Sequence, residues 1–286
     1  MLVKNECANP TGSHKDRMSA QFTARAIARG APVIAAASSG NAGVSIASYA
    51  AAAGIPCVIV TTAKISPAWR RAIEITGAEL RMAEDPLDRW RLIREKTATQ
   101  GWVSATNVMV PPTGSEPFGV DGYKTLGYEL GEDGETADCD AILVPTARGD
   151  LIWGIYKGFR DLIALGSLRR MPRLIAVEPF PRLERVLGGA DIRGRFPGAT
   201  PLSSIGGATV TYQALTAVRA SGGTAVSVRA EQVIADQKTL ARSGLYLELS
   251  AAAALTGLRV LLTEKPAAIR RATLIATSHG YKENGA

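Results

Sequence analysis

The amino-acid sequence predicts an α/β fold built on parallel strands. Short apolar runs alternate along the chain with amphipathic or alanine-rich segments, as in "PVIAAAS" followed by "NAGVSIASYAAAAG". The runs are almost continuously apolar, and strands that are apolar on both faces belong in a parallel sheet covered by helices. Aromatic residues make up only 6% of the chain, against 29 glycines. This composition favours helices packed on parallel strands over an all-β sandwich.

The elements follow in order along the chain. A helix is predicted over residues 14–30, after a turn made by "NPTG". The predicted strands are residues 32–38, 56–62, 141–145, 173–179 and 272–278, and helical segments follow three of them at 41–54, 66–77 and 151–166. Residues 104–122 and 188–211 are rich in Gly, Pro, Ser and Thr, which indicates surface loops or active-site flaps.

Charge and cysteine content exclude several classes of function. The net charge is +7, but the basic residues are scattered or paired and have no aromatic residues between them, so we expect no nucleic-acid partner. The three cysteines are far apart and only two histidines accompany them, so we expect no metal site and no disulfide framework. No apolar stretch reaches the roughly 18 residues that a membrane span needs. We expect a cytoplasmic protein without a membrane partner.

Lys15 occupies an unusual place for a cation. Ser13 is a natural N-cap, which puts Lys15 in the first turn of the predicted helix. The helix macrodipole disfavours a positive charge there. One interpretation is an exposed lysine that tolerates this position. The other is a functional lysine whose amine is neutral or bound as an imine.

Polar loops follow three of the predicted strands. Residues 38–41 ("SSGN") follow the first strand, residues 146–150 follow "AILVP", and residues 277–280 end the last strand. Ligands of open α/β sheets bind at the carboxyl ends of the strands. We therefore expect these loops to converge on one ligand site.

The segment "NPTGSHKDR" at residues 9–17 resembles the lysine segment of the fold-type II pyridoxal-phosphate (PLP) enzymes, the tryptophan synthase β superfamily, and most closely that of threonine synthases. The resemblance continues in order through "SSGNAGVSIASYAAAAGI", "GYKTLGYEL", "VPTARGDLIWG", "SIGGATVTYQAL", "GLYLELSAAAAL" and "ATSHGYKE". It covers most of the chain, and it implies PLP as the cofactor.

The resemblance also implies roles for residues near the N-terminus. Lys15 would bind PLP as a Schiff base and act as a base at the substrate Cα. Asn41 would hydrogen-bond the 3-hydroxyl group of the cofactor. Ser38, Ser39 and Gly40, with Asn41 at the start of the following helix, would receive the substrate carboxylate on exposed backbone N–H groups.

Further cofactor contacts are implied near the later strands. The loop formed by Thr146, Ala147, Arg148, Gly149 and Asp150 would bind the cofactor phosphate, although it has one glycine where the family usually has several. Arg148 would add a charge-assisted contact, whereas Asp150 would oppose the phosphate unless it points away.

Two further positions bear on the cofactor. Thr277 or Ser278 would face the pyridine nitrogen, and register favours Thr277. His14 replaces a bulky apolar residue of the family, so it either fills the same space or alters the protonation of the neighbouring lysine.

The family's fold implies two doubly wound domains with mainly parallel sheets and the cofactor in the cleft between them. We expect residues 1–32 and 126–286 to form the larger domain and residues 33–125 the smaller, mobile one. Relatives carry a segment before the lysine motif. We therefore expect either a truncated start or a compact lineage whose surface is covered in a homodimer.

The implied activity is that of a PLP-dependent lyase acting on an amino acid, of the threonine synthase kind, which converts O-phospho-L-homoserine and water to L-threonine and phosphate. Alternatives in the same fold are a serine or threonine dehydratase, a diaminopropionate lyase or a β-replacement enzyme. An alternative of another class is a non-catalytic or regulatory PLP-binding protein.

Overall fold

The computed structural model describes residues 1–109, 114–264 and 269–283. The chain folds into two compact units. The five-stranded unit includes the described residues of Met1–Cys7 and Tyr123–Tyr281, and the four-stranded unit includes those of Ala8–Gly122 together with Lys282 and Glu283.

The strands and helices alternate along the chain. The strands are β1 (Leu2–Asn5), β2 (Ile34–Ala37), β3 (Cys57–Thr62), β4 (Glu79–Ala83), β5 (Val103–Ser104), β6 (Ala141–Pro145), β7 (Arg173–Glu178), β8 (Thr224–Ser227) and β9 (Ala272–Ala276). The helices are α1 (Lys15–Ala28), α2 (Asn41–Ala52), α3 (Pro67–Glu74), α4 (Asp88–Gln100), α5 (Pro117–Val120), α6 (Lys124–Glu132), α7 (Gly134–Ala137), α8 (Asp150–Ala164), α9 (Leu183–Leu187), α10 (Tyr212–Ala220), α11 (Ala230–Arg242) and α12 (Leu249–Glu264).

The five-stranded unit is built on a parallel sheet with the strand order β1-β9-β6-β7-β8. Every residue of β6 and β9 is buried, as expected for strands covered on both faces. Helix α12 packs on the sheet through its alanines at 251–254. At Gly257 it comes so close that an added Cβ would lie 2.7 Å from Val177 Cγ2. Only glycine permits this approach of helix and strand.

The four-stranded unit has the parallel order β4-β3-β2-β5. Its core includes alternate residues of β2 and β3 together with Trp90, Ile93 and Trp102. Helix α1 packs against α2 and α5, and α2 packs against α3. The loop that leads from β2 into α2 therefore lies beside the start of α1, where the lysine motif is found.

The α/β prediction is confirmed, and each of the predicted strands is present within one or two residues of its expected ends. The apolar pattern did not indicate β1, β4, β5 and β8. These strands are only two to five residues long and lie at sheet edges, and β1, β4 and β8 include exposed positions that interrupt an apolar run. Edge strands have one uncovered side, so periodicity marks them weakly.

Two local results differ from the sequence-based expectations. Ser13 is fully buried, and its side chain does not cap α1, whose N-cap position is held by His14 without a side-chain bond. Residues 8–32 belong with the four-stranded sheet, whereas we expected residues 1–32 in the larger domain. The packing of α1 on α2 and α5 accounts for this placement, and the division into moving domains stays a prediction.

Helices of the described segments are each too short or too polar to cross a lipid bilayer.

Candidate functional site

Lys15 is the first residue of α1. A tight turn precedes it, in which the N–H of Gly12 donates to the carbonyl of Asn9 over 2.7 Å and Gly12 takes the left-handed φ of 74°. The Nζ atom of Lys15 lies 2.9 Å from Nε2 of His14. The predicted placement of a lysine at a helix start is therefore present, and a second nitrogen base touches its amine.

Asp16 fixes the lysine turn, a role that was not predicted from the sequence. Its buried carboxylate accepts hydrogen bonds from the N–H of Thr11 at 2.7 Å and from the Thr11 hydroxyl at 2.6 Å. It also accepts a bond of 2.5 Å from the hydroxyl of Ser45 on α2. One carboxylate thus ties the turn before Lys15 to both α1 and α2. A carboxyl group directly after a lysine, at the start of a helix, is the sequence signal for such an anchor.

The predicted substrate-binding residues lie at the start of α2. The hydroxyl of Ser38 accepts bonds from the N–H of Gly43 at 2.9 Å and of Gly40 at 3.3 Å, so Ser38 binds backbone N–H groups at the helix start, whose N-cap residue is Gly40. The hydroxyl of Ser39 lies 2.8 Å from that of Thr61 and accepts a bond of 3.1 Å from Arg89 Nη1. An anion at this helix start would therefore meet backbone N–H groups, a hydroxyl and a guanidinium.

Asn41 is held by a lysine that sequence reasoning did not single out. The Nζ of Lys282 donates to Oδ1 of Asn41 over 2.5 Å and to the carbonyl of Thr11 over 2.9 Å. The carbonyl oxygen of the Asn41 amide is thereby used, so its NH₂ group faces the other side and is oriented to donate. Lys282 belongs to the quoted motif "ATSHGYKE", which was the available signal.

In the five-stranded unit, the predicted phosphate loop lies between β6 and α8. Gly149 has a φ of 93°, and an added Cβ would lie 2.3 Å from the Cβ of Ala214. The carbonyls of Thr146 and Arg148 accept bonds from Arg182 and Thr211. The single glycine of this loop thus stands at the position that requires one. The 15-residue helix α8 presents its N-terminal N–H groups directly after it.

Arg148 and Asp150 act on each other electrostatically. Burial lowers the pKa of the Arg148 guanidinium, and the Asp150 carboxylate opposes this shift. The negative charge of Asp150 is therefore partly balanced inside the loop, which reduces its opposition to a phosphate.

Thr277 and Ser278 follow β9, and both are almost completely buried. Because β9 pairs in parallel with β6, the carboxyl ends of the two strands lie at the same sheet edge. Within this unit, the loops 146–150 and 277–280 therefore emerge side by side, as expected from the order of the strands. The backbone carbonyl of Ser278 accepts a bond of 2.9 Å from the N–H of Glu248.

A separate cavity of about 360 Å³ lies beside edge strand β8. Its lining includes Arg173, Glu184 and Glu264 but none of the predicted site residues. A cavity alone is weaker support for a ligand site than a set of polar groups, so the loops that follow the strands are the stronger candidate site.

The residues present fit PLP by the chemistry of their groups. The four-stranded unit provides an amine at a helix start, an oriented amide donor and an anion-receiving helix N-terminus. The five-stranded unit provides a glycine-dependent loop before α8 and buried hydroxyl residues after β9. These are the groups that an aldehyde, a phosphate and a pyridine nitrogen require. In the described ranges, no cluster of His, Cys, Asp and Glu suits a metal ion.

Comparison with known proteins supports the same cofactor. The chain is 31% identical over 276 residues to a threonine synthase of Methanosarcina acetivorans, a match that covers 92% of this chain and 65% of the relative. The chain thus spans somewhat less than two thirds of that relative's length. The predicted resemblance to threonine synthases is confirmed.

Solved structures confirm the fold. The chain superposes on maize serine racemase with a TM-score of 0.79 at 19% identity, over 97% of this chain and 82% of that one. It superposes on the processed form of threonine deaminase isoform 2 from Solanum lycopersicum with a TM-score of 0.80 at 17% identity, over 97% and 74%. The sequence profile of the family "Pyridoxal-phosphate dependent enzyme" matches residues 1–277. The chain therefore belongs to the pyridoxal-phosphate-dependent enzymes, with PLP as the family's cofactor.

Proposed function

We propose that this chain is a PLP-dependent lyase of the threonine synthase kind, which converts O-phospho-L-homoserine and water to L-threonine and phosphate. The observation that carries the choice of substrate is the pair of cationic side chains at the start of α2. Arg89 donates to the hydroxyl of Ser39, and Lys282 donates to the side chain of Asn41.

Two cations at this helix start suit a substrate with two anionic groups. A helix N-terminus with its backbone N–H groups already receives one carboxylate. A guanidinium adds charge-assisted bonds of the kind that recognise phosphate. Serine, threonine and diaminopropionate carry one carboxylate and no phosphate, so they offer these two cations a single anionic group.

PLP, when bound, supplies an electron sink that makes protons next to the substrate amine acidic. Lys15 would hold the cofactor and move the proton at the substrate Cα. Asn41 would donate its amide N–H to the cofactor's 3-hydroxyl oxygen, and the loop 146–150 would bind the phosphate. A neutral hydroxyl of Thr277 at the pyridine nitrogen leaves the ring a moderate electron sink, which suits elimination chemistry.

The relatives support this choice, whereas the fold alone does not select a reaction. The relative from Methanosarcina acetivorans is named a threonine synthase. Structural neighbours with the same fold are named a racemase and a deaminase, at identities below 20%. The substrate must therefore be established by assay.

A substrate screen tests the proposal directly. The purified protein with PLP is given phosphohomoserine, serine, threonine or diaminopropionate, and phosphate, ammonia, oxo acid and threonine are measured. We expect phosphate and threonine in equal amounts from phosphohomoserine alone. Ammonia with an oxo acid from serine or threonine would instead identify a dehydratase. PLP binding without turnover of any of them would favour the regulatory alternative.

The cofactor anchor has its own test. The wild-type protein should develop a visible absorbance band on addition of PLP, and Lys15→Ala should lack it. The matched control is Lys64→Ala, an exposed lysine of the same unit, which should keep the band. A band of normal intensity in Lys15→Ala would refute the role of Lys15.

We also propose that the protein works in the cytoplasm as a homodimer. Its three cysteines are free, which suits a reducing compartment. Strand β8 pairs only with β7 among the described strands and so offers a sheet edge to a second copy. Light scattering after gel filtration gives the mass, and the mass of a single chain, 30.0 kDa, in place of twice that value would refute the dimer.

A further inference from the structure

A buried ion pair lies next to the predicted phosphate loop. Arg182 and Glu178 are about 1% exposed, and Arg182 Nε donates to Glu178 Oε2 over 3.2 Å. The same carboxylate also accepts the backbone N–H groups of residues 182, 183 and 184 at 3.0–3.1 Å. Glu178 is thus satisfied on both oxygens, and it holds the guanidinium in one orientation.

The other two nitrogens of this guanidinium reach two separate loops. Nη2 donates to the carbonyl of Thr146 over 2.7 Å, and Nη1 donates to the carbonyl of Gly207 over 2.6 Å. Thr146 begins the predicted phosphate loop, and Gly207 lies in the segment 188–211. A planar fork with donors on three sides joins a carboxylate and two carbonyls at once, which an ammonium group on a flexible chain does less well.

The bond to Thr146 also fixes the direction of the next backbone N–H. In a planar trans peptide, the carbonyl of one residue and the N–H of the next point in opposite directions. With the Thr146 carbonyl held by Arg182, the N–H of Ala147 points away from the ion pair. A second peptide is held in the same way, because the Thr211 hydroxyl donates to the Arg148 carbonyl over 2.5 Å and so aims the N–H of Gly149.

We propose that Arg182 is a positioning residue that orients the Ala147 amide of the 146–150 loop toward the phosphate of PLP. The inference rests on the proposed role of this loop. Arg182 makes no contact with the cofactor in this scheme; it acts through the Thr146 carbonyl and is itself held by Glu178.

The burial of Arg182 explains why a charged donor, and not a neutral one, binds the Thr146 carbonyl. Burial lowers the pKa of the Arg182 guanidinium, and the Glu178 carboxylate opposes that shift. Hydrogen bonds from a charged donor to a carbonyl are stronger than neutral ones, and more so where water is excluded. The loop carbonyl is therefore held more rigidly than a neutral side chain would hold it.

The test compares PLP with pyridoxal, which lacks the phosphate. Both are titrated into apo protein, and their dissociation constants are read from absorbance. We expect Arg182→Lys to weaken PLP binding roughly tenfold, with pyridoxal affinity changed by less than about threefold. Arg182→Ala should have a larger effect, and added guanidinium ion should restore PLP affinity in part.

Hydrogen exchange on the apo protein gives a readout that needs no cofactor. In Arg182→Lys, the amide of Ala147 should exchange faster, while that of Gly149, which depends on Thr211, and those of β9 change less. The matched control is Asp236→Asn, which disturbs another buried carboxylate of the same unit, bonded to Thr256 at 2.7 Å and paired with Arg259 at 2.8 Å. This variant should lose stability without a selective loss of PLP affinity.

The outcomes separate this inference from the proposed function. Equal weakening of PLP and pyridoxal in Arg182→Lys, or unchanged exchange at Ala147, would overturn the role of Arg182. If Arg182→Ala fails to fold, Arg182→Lys still decides, because it keeps a cation beside Glu178. If the wild-type protein fails to bind PLP, the proposed function falls, whereas the exchange experiment still tests whether Arg182 orders the loop.

Discussion

The Nζ atom of Lys282 lies 2.5 Å from Oδ1 of Asn41, so a lysine near the C-terminus sets the amide of a residue at the start of α2. The same ammonium binds the carbonyl of Thr11 in the turn before Lys15. This relationship joins the lysine turn, the start of α2 and Lys282 within the four-stranded unit. We propose two separable roles for Lys282, the orientation of Asn41 and a positive charge for the substrate.

Lys282→Met tests the orientation of Asn41. Without the ammonium, the amide loses the bond that directs its NH₂ group, and we expect PLP affinity to fall roughly five- to tenfold. Absorbance titration of apo protein measures this. The exposed Lys64 provides the matched control, since Lys64→Met should leave affinity unchanged. An affinity equal to that of the wild type in Lys282→Met would contradict the proposed role.

Arg89→Ala tests the second cation at α2. The loss of the guanidinium beside Ser39 removes a charge-assisted contact, so KM for phosphohomoserine should rise roughly tenfold or more, with little change in the PLP absorbance band. Arg91 on the same helix is more exposed and pairs with Asp88, so Arg91→Ala should leave KM unchanged. Equal KM values for Arg89→Ala and the wild type would remove the support for a substrate with two anionic groups.

Asp16→Asn should destabilise the four-stranded unit. In this variant, an amide nitrogen in place of Oδ2 would face the N–H of Thr11, so that two donors oppose each other. The hydroxyls of Thr11 and Ser45 would also lose their charged acceptor, because the remaining amide oxygen is neutral. We expect the free energy of unfolding to fall by about 2–4 kcal/mol. Chemical denaturation measures it, with the exposed Asp88→Asn as control. A change below about 0.5 kcal/mol would show that the carboxylate does not anchor the lysine turn.

The buried parts of this fold could be predicted from the sequence better than the edges. Helices cover both faces of strands such as β6 and β9, so these strands are apolar throughout. Each therefore forms a continuous apolar run that is visible in the sequence. The short edge strands β4 and β8 contain no such run. Ser13 shows the same limit locally, because its residue type favours an N-cap, whereas in the structure it is buried and His14 holds the N-cap position.

In the candidate site, too, some residues could be predicted from the sequence and others could not. The loops at 38–41, 146–150 and 277–280 follow strands, so their places could be predicted from the order of elements. Spacing does not predict the contacts of Arg182 and Lys282, although Lys282 lies in the quoted motif "ATSHGYKE", since each side chain acts across 36 or more residues of sequence on a backbone carbonyl or an amide. A pattern in one sequence records residue types and spacing, but it does not record which distant carbonyl a side chain reaches.

Thiol reactivity gives an independent check of the packing. Burial raises the pKa of the Cys57 thiol to about 12, and burial also raises the pKa of Cys139. Both thiols therefore stay protonated at pH 8, and we expect Ellman's reagent to modify only the half-buried Cys7 in the native protein. All three thiols should react after denaturation. Any rapidly reacting thiol in native Cys7→Ser would contradict the burial of the other two.

His14→Phe decides between the two interpretations of His14. In the structure, its Nε2 lies 2.9 Å from the Lys15 amine; in the tautomer whose Nε2 carries no hydrogen, the imidazole accepts a bond from the ammonium and favours the charged form of the lysine. Phenylalanine fills similar space without an acceptor. We therefore expect PLP to attach a few-fold faster near neutral pH, since only the uncharged amine attacks the aldehyde. Stopped-flow absorbance from pH 6 to 9 measures the rate, and His14→Gln, which retains a hydrogen-bonding side chain, is the comparison. Identical pH–rate profiles for the wild type and His14→Phe would show that His14 only fills space, and the contact between the two nitrogens would then have no chemical consequence.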